Sequence, residues 1–206
     1  MKKLVLIVCL AILLSAALRY ASGATLTPAS TDSQQSSSEH ERAQAQELTQ
    51  TLIYLSAQYQ HANASNRDSL LLELERIAAE RQEVLANLIA TDPQAALSLA
   101  LPVYLRESLP KDVQAYVEQE ANVVGEFEVL FGDYNGSLLY FLNTRNERLP
   151  IYFASEPPSQ YLTGCHVRAK GIVFERHHAT TDGIVLERSL VLASGSSLKI
   201  KGIVFE

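Results

Sequence analysis

The chain has 206 residues, room for one or two small domains, and 47% of them are hydrophobic, enough to fill a core. Its formal net charge of -6 argues against a general binder of nucleic acid or of anionic membranes. The acidity is uneven: residues 39–120 carry 13 Asp and Glu against 6 Lys and Arg, whereas residues 121–206 carry 9 against 8.

Residues 1–24 read as an address. Lys2-Lys3 is a basic start, Leu4 to Leu18 an apolar run of 15 residues, and Ser22-Gly23-Ala24 a small-residue cleavage site. The run is shorter than the ~20 residues that span a bilayer. A cleaved signal peptide and a secreted or periplasmic protein are therefore expected. An uncleaved anchor flanked by Arg19-Tyr20 is the alternative, and Cys9, in the middle of the apolar run, reads as an apolar signal residue and not as a lipidation site. Cleavage leaves Cys165 as the sole cysteine, so an internal disulfide is excluded. Residues 25–38, with Pro28 and a Gln-Gln-Ser-Ser-Ser run, are too polar to bury much surface and are expected to be a disordered linker.

A helical region is predicted over 39–120. Ala45, Leu48, Leu52, Leu55 and Tyr59 recur at spacings of 3, 4, 3 and 4, one face of an amphipathic helix. His61 to Asn66 breaks it. Ser65 and Asp68 have the form of a capping box, and Leu70, Leu74, Ile77, Leu85 and Leu88 carry a second helix, predicted to fold back on the first as a hairpin. Asp92-Pro93 is a helix start, with Asp92 as cap and Pro93 in the first turn. Pro102 and Pro110 then cut the chain into short pieces, expected over 94–101, 103–109 and 111–118.

The period then changes to two. Strands are expected over 124–131, 138–142, 149–154 and 166–174, with short ones over 183–186 and 190–192. Asn135-Gly136 suits a tight hairpin turn. Leu138 to Leu142 is apolar on both faces, which suggests a central strand. His177-His178 is expected at a hairpin tip, and Gly171 at a bulge or bend. Five or six strands with a gap after the third fit a small, partly open antiparallel barrel of the OB type over 121–197, giving an α+β protein; a plain meander packed on the helices is the alternative. Residues 198–206 are expected to be a strand-like tail. Lys170 to Glu175 recurs unchanged as Lys201 to Glu206, and Asp182 to Glu187 is a near copy, at unequal spacings of 12 and 19 residues. Unequal spacing does not establish a solenoid; a recent duplication or a disrupted reading frame is the expected origin, and the apolar end of the chain suggests a truncated gene product.

No His-Glu-x-x-His, Gly-x-Ser-x-Gly or phosphate-binding loop occurs, so no catalytic residue, metal ligand or cofactor is expected. Cys165-His166 with His177-His178 matches no zinc spacing. Cys165 alternates with the apolar Val167 and Ala169 and is expected to be buried; if exposed and deprotonated, it is a candidate thiol for the zinc of a partner protease. Tyr140, Tyr152, Arg168 and Lys170 form a candidate ligand-binding face of the kind OB barrels offer to single strands. The near-neutral charge of this half disfavours nucleic acid.

Thr91 to Leu101-Pro102, then Leu109-Pro110, Val113-Gln114, Glu126 to Leu130, Leu162-Thr163-Gly164 to Gly171 and Ser189 to Gly195 together resemble the non-catalytic N-terminal region of bacterial secreted zinc metallopeptidases of the gametolysin type. The resemblance covers residues 79–197. It implies a propeptide-like module, a folding aid, inhibitor or docking module, with a secreted zinc peptidase as partner. That family's zinc ligands and general base have no matching positions here, so no peptidase activity carries over. The alternative is a standalone OB-like binding module for an oligosaccharide, peptide or single-stranded nucleic acid.

Overall fold

The computed structural model describes residues 31–132, 137–159, 163–181 and 183–200. The chain divides into two units, Met1–Gln34 and Gln35–Glu206. The helices and strands belong to the second, apart from the start of the first helix. The signal-peptide, cleavage-site and anchor expectations, the Asn135-Gly136 turn and the second copy of the hexapeptide lie outside the described residues.

Helices come first: α1 (Thr31–His61), α2 (Ala64–Thr91), α3 (Pro93–Ser98), α4 (Val103–Ser108) and α5 (Lys111–Gln114). Six strands come after them: β1 (Gln119–Phe131), β2 (Leu138–Asn143), β3 (Arg148–Phe153), β4 (His166–Thr180), β5 (Gly183–Leu192) and β6 (Leu198–Ile200). Helix α1 starts at Thr31, so residues 31–38 are helical, contrary to the linker expected there. Ala45, Leu48 and Leu52 of α1 are buried against Leu74, Ile77, Leu85 and Leu88 of α2, as the helical spacing predicts. The loop between them is braced by Arg67, whose guanidinium sits 5.1 Å from the Tyr59 ring centroid. The Ser65–Asp68 capping box does not form. Asn63 is the N-cap, and the Ser65 hydroxyl donates to Asn63 Oδ1 at 2.9 Å. Asp92 does cap α3, accepting from the Ala95 N–H at 2.9 Å.

The barrel closes on itself. Its strand order is β1-β2-β3-β5-β4, and β1 pairs β4 from Gln119↔Val173 to Glu126↔His166. All pairings are antiparallel except β3 with β5, which run parallel from Ile151↔Leu190 to Phe153↔Leu192. The result is a mixed, closed five-stranded barrel of OB-like form, where a partly open antiparallel one was expected. Successive strands alternate in direction, so a closed ring of five needs one parallel joint, and the β3–β4 connection sets its place by carrying β4 past the position that β5 fills. That connection docks on the chain after β5: Ala154 N–H donates to Leu192 O at 2.8 Å and Gly195 N–H to Glu156 O at 2.8 Å. Strand β6 pairs β4 from Val167↔Ile200 to Ala169↔Leu198, and Leu198 is buried in the barrel core. The barrel unit therefore runs from Gln119 to Ile200, past the boundary expected at 197. Strand β4 extends to Thr180, so His177 and His178 lie within a hairpin opposite Leu186 and Val185 and not at its tip. His177 is held there by α2, its Nδ1 lying 3.3 Å from Gln82 Oε1.

Alternation sorts the strand residues into two cores. Phe127, Leu142, Leu149, Ile151, Val167, Ala169, Val173, Leu190 and Leu192 point inward and fill the barrel. Phe174 and Val191 point outward and join the core of the helices, with Tyr152 and Ile172 packed against it. Gly171 also occupies an inward position of β4. A Cβ there would come within 2.4 Å of Val191 O and 2.6 Å of Leu192 Cδ2. Gly171→Ala is expected to destabilise the protein by about 1–3 kcal/mol, as overpacking does; a lowered urea midpoint at unchanged slope checks this.

Candidate functional site

Of the four residues of the candidate face, Tyr140 and Tyr152 line one groove from opposite sides of the sheet, while Arg168 and Lys170 lie apart from it. Tyr140 of β2 lies on the inner side of the sheet, its ring 6.0 Å from Phe127 and 5.0 Å from Phe153. Tyr152 of β3 lies on the outer side beneath the helices. Arg168 and Lys170 project outward from β4, exposed, in register with Val124 and Asn122 of β1. Neither basic residue lines a cavity with the tyrosines, so no basic stacking groove is assembled from these four. Cys165 is half-buried beside the barrel core, and its carbonyl accepts from the Phe127 N–H at 2.9 Å. Among the described residues no group of three or more His, Cys, Asp or Glu is placed to hold a metal ion. No described helix is long and apolar enough to cross a membrane.

What the fold builds instead is a groove over β2 and β3. Leu139, Phe141, Pro150 and Tyr152 line it, with Ser155 and Pro157 of the β3–β4 connection at one end, and its volume is about 360 Å³. The outward positions of β2 are apolar, and Leu139 is 46% exposed. The sequence shows this second apolar face and suggests a central strand. In a closed ring no strand is central, so the face becomes an open surface. Arg148 lies over Phe141, 3.9 Å from the ring centroid, and its charge is met by Glu128 at 3.1 Å. The groove is thus apolar and aromatic with its one adjacent cation neutralised.

A second cleft lies on the far side of β3, between α1, α2 and the barrel. Pro150 and Tyr152 line it too, and its volume is about 440 Å³. Burial, and secondly the charge of Glu187, push the Tyr152 phenol above its ordinary value.

The largest polar feature was missed by the sequence. Arg81 of α2 is 0% exposed, and it donates to Glu118 Oε2 at 2.8 Å, Glu118 Oε1 at 3.2 Å, Thr49 Oγ1 at 2.8 Å and Leu99 O at 2.8 Å. Glu118 also accepts from the Leu101 N–H, and its own carbonyl accepts from Arg106 Nη1 at 2.9 Å. This network claims the backbone of residues 99–101, so α3 ends at Ser98 instead of Leu101. It also pulls Glu118 into extended chain, so α5 ends at Gln114 instead of Glu118. A signal was present: Arg81 falls between Ile77 and Leu85 on the apolar face of α2.

No protein-family model, no curated protein and no solved structure matches this chain.

Proposed function

We propose that this chain is an exported, non-catalytic module that docks an extended apolar polypeptide segment of a partner protein in the groove over β2 and β3. The observation that carries this is the groove itself: an outward apolar face in which Leu139 is exposed and Phe141 and Pro150 are half-buried, beside Tyr152, which packs against the core of the helices. Apolar side chains alternating along an extended strand fit such a surface. The resemblance to the N-terminal regions of secreted zinc metallopeptidases supports a peptidase chain as the partner and a docking or folding-aid role. The neutralised Arg148 and the remote Arg168 and Lys170 favour a polypeptide over a nucleic-acid strand. The half-buried Cys165 makes a docking role a better fit than a zinc-capping inhibitor.

Fluorescence polarisation with a library of labelled eight-residue apolar peptides tests the proposal. Binding is expected in the micromolar range, about -8 kcal/mol. Phe141→Ala and Leu139→Asp are each expected to weaken it about tenfold or more; Leu139→Asp should change unfolding little, since Leu139 is exposed, while the half-buried Phe141 carries some stability of its own. No peptide binding, or binding only of an oligosaccharide or of oligothymidine, would sink this reading in favour of the other ligand class.

A further inference from the structure

We propose that residues 201–206 dock in the groove over β2 and β3 of their own chain. A partner's segment then has to displace them. The inference rests on the reading of that groove as the seat of an extended apolar segment. Lys201 to Glu206 repeats Lys170 to Glu175 residue for residue. In the barrel the first copy is the middle of β4. It pairs on one edge with β1, from Lys170↔Asn122 to Val173↔Gln119, and on the other with β5, from Ile172↔Val191 to Glu175↔Arg188. Val173 is buried in the barrel core, and Phe174 in the core of the helices, with Ile172 packed against the latter. The same six residues are thus a strand with two apolar faces in this fold. A second copy left in water would keep Ile203, Val204 and Phe205 hydrated, at a cost that an apolar seat removes.

Where β6 leads decides which seat. Strand β6 is antiparallel to β4, and β4 is antiparallel to β1, so β6 runs in the direction of β1. Its last residue, Ile200, faces Val167 near the start of β4. Strand β3 runs the same way and finishes at Phe153, while β2 runs the other way and starts at Leu138. Strand β6 therefore delivers residue 201 to the end of the barrel at which Leu138, Leu139 and Phe153 line the groove. A crevice of about 410 Å³ lies beside Ile200, and Pro157 lines both that crevice and the groove. Six extended residues reach about 20 Å, and Gly202 allows the turn over Pro157. The β2–β3 register ends at Tyr140↔Ile151, where the groove begins, and a strand of alternating apolar side chains is the occupant such a gap takes.

The chain has no tryptophan, so Phe205→Trp in the full chain places a single reporter in the segment. Its emission is expected to be blue-shifted and shielded from acrylamide, and Leu139→Asp should return it to that of a solvated indole. A tethered segment meets its site at an effective concentration of about 1 mM, so one that binds at about 0.1 mM weakens a competing peptide about tenfold. Ile203→Asp combined with Phe205→Asp is therefore expected to tighten binding of the apolar peptides about tenfold. Solvent-like emission, or a blue shift that Leu139→Asp leaves in place, overturns the inference, and peptide binding would still uphold the groove. A blue shift that fades on dilution, with a falling sedimentation coefficient, assigns the segment to a second copy and overturns docking within one chain. A shielded tryptophan, released by Leu139→Asp, in a protein whose double aspartate variant binds no peptide supports the docking of 201–206 and overturns the partner reading instead.

Discussion

Replacing Arg81 with alanine should destabilise the protein by about 3–5 kcal/mol, the cost of stranding one member of a buried ion pair. Both side chains are almost fully buried, so the remaining Glu118 carboxylate would have no water to turn to. The Thr49 hydroxyl and the Leu99 carbonyl would lose the donor that meets them, and each unmet buried group adds about 1–3 kcal/mol. Replacing both members, as Arg81→Met with Glu118→Leu, is expected to recover only the part due to the stranded charge. Leu101 N–H and Leu99 O would still lack partners, so the double variant should remain less stable than the parent. Urea unfolding of the parent, Arg81→Met, Glu118→Leu and the double variant measures the balance. A parent-like Arg81→Ala protein would show that the network contributes nothing.

The same pair sets an acid limit. Burial alone would raise the Glu118 carboxyl, but the charge and hydrogen bonds of Arg81 and the donation from Leu101 N–H outweigh it and hold it below the usual carboxylate range. With the folded value depressed, the stabilisation is fully present above the unfolded value of about 4.3 and is lost as pH falls through the folded value. Stability of the parent should therefore drop below about pH 4, and Glu118→Gln, though weaker at neutral pH, should lack that part of the acid slope.

Phe127→Ala is the second large effect, expected at about 3–5 kcal/mol. Phe127 is 0% exposed at the centre of the barrel, and its ring stacks on Tyr140 at 6.0 Å. A closed ring of strands collapses poorly around a void, because shifting one wall breaks register with two neighbours. The cost should therefore lie near the upper end for such a change. Phe127→Leu should cost markedly less, since most of the volume is kept. Thermal unfolding of the two variants separates lost volume from lost ring contact.

The two halves were legible in the sequence to different depths. The helices were plain because Ala45, Leu48 and Leu52, and later Leu74, Ile77 and Leu85, keep a period that only one helix face satisfies. The proline cuts were plain because Pro cannot continue a ladder. Most strands showed by alternation, as in Phe127 against Glu126 and Glu128. Closure, the parallel β3–β5 joint and the pairing of β6 with β4 were not visible, because they depend on which strands meet in space, and no local pattern encodes that. Arg81 and Glu118 did not stand out in the sequence, because each finds its partner 37 positions away. The groove was seen as an apolar face and assigned to the wrong cause, since a sheet interior and a docking surface look alike in Leu139 and Phe141 until the ring is known to close.

The β1–β4 joint has a consequence for how the chain is made. Gln119 meets Val173, and Glu126 meets His166. Strand β1 is thus complete long before its closing partner has been synthesised. Throughout that interval residues 119–126 of β1 offer open amide and carbonyl groups, the feature most prone to pairing with a neighbouring chain. The helices, built from local contacts, form sooner than a ring of distant ones. The Arg81–Glu118 pin sits immediately before Gln119 and can anchor the base of that waiting strand before β4 emerges.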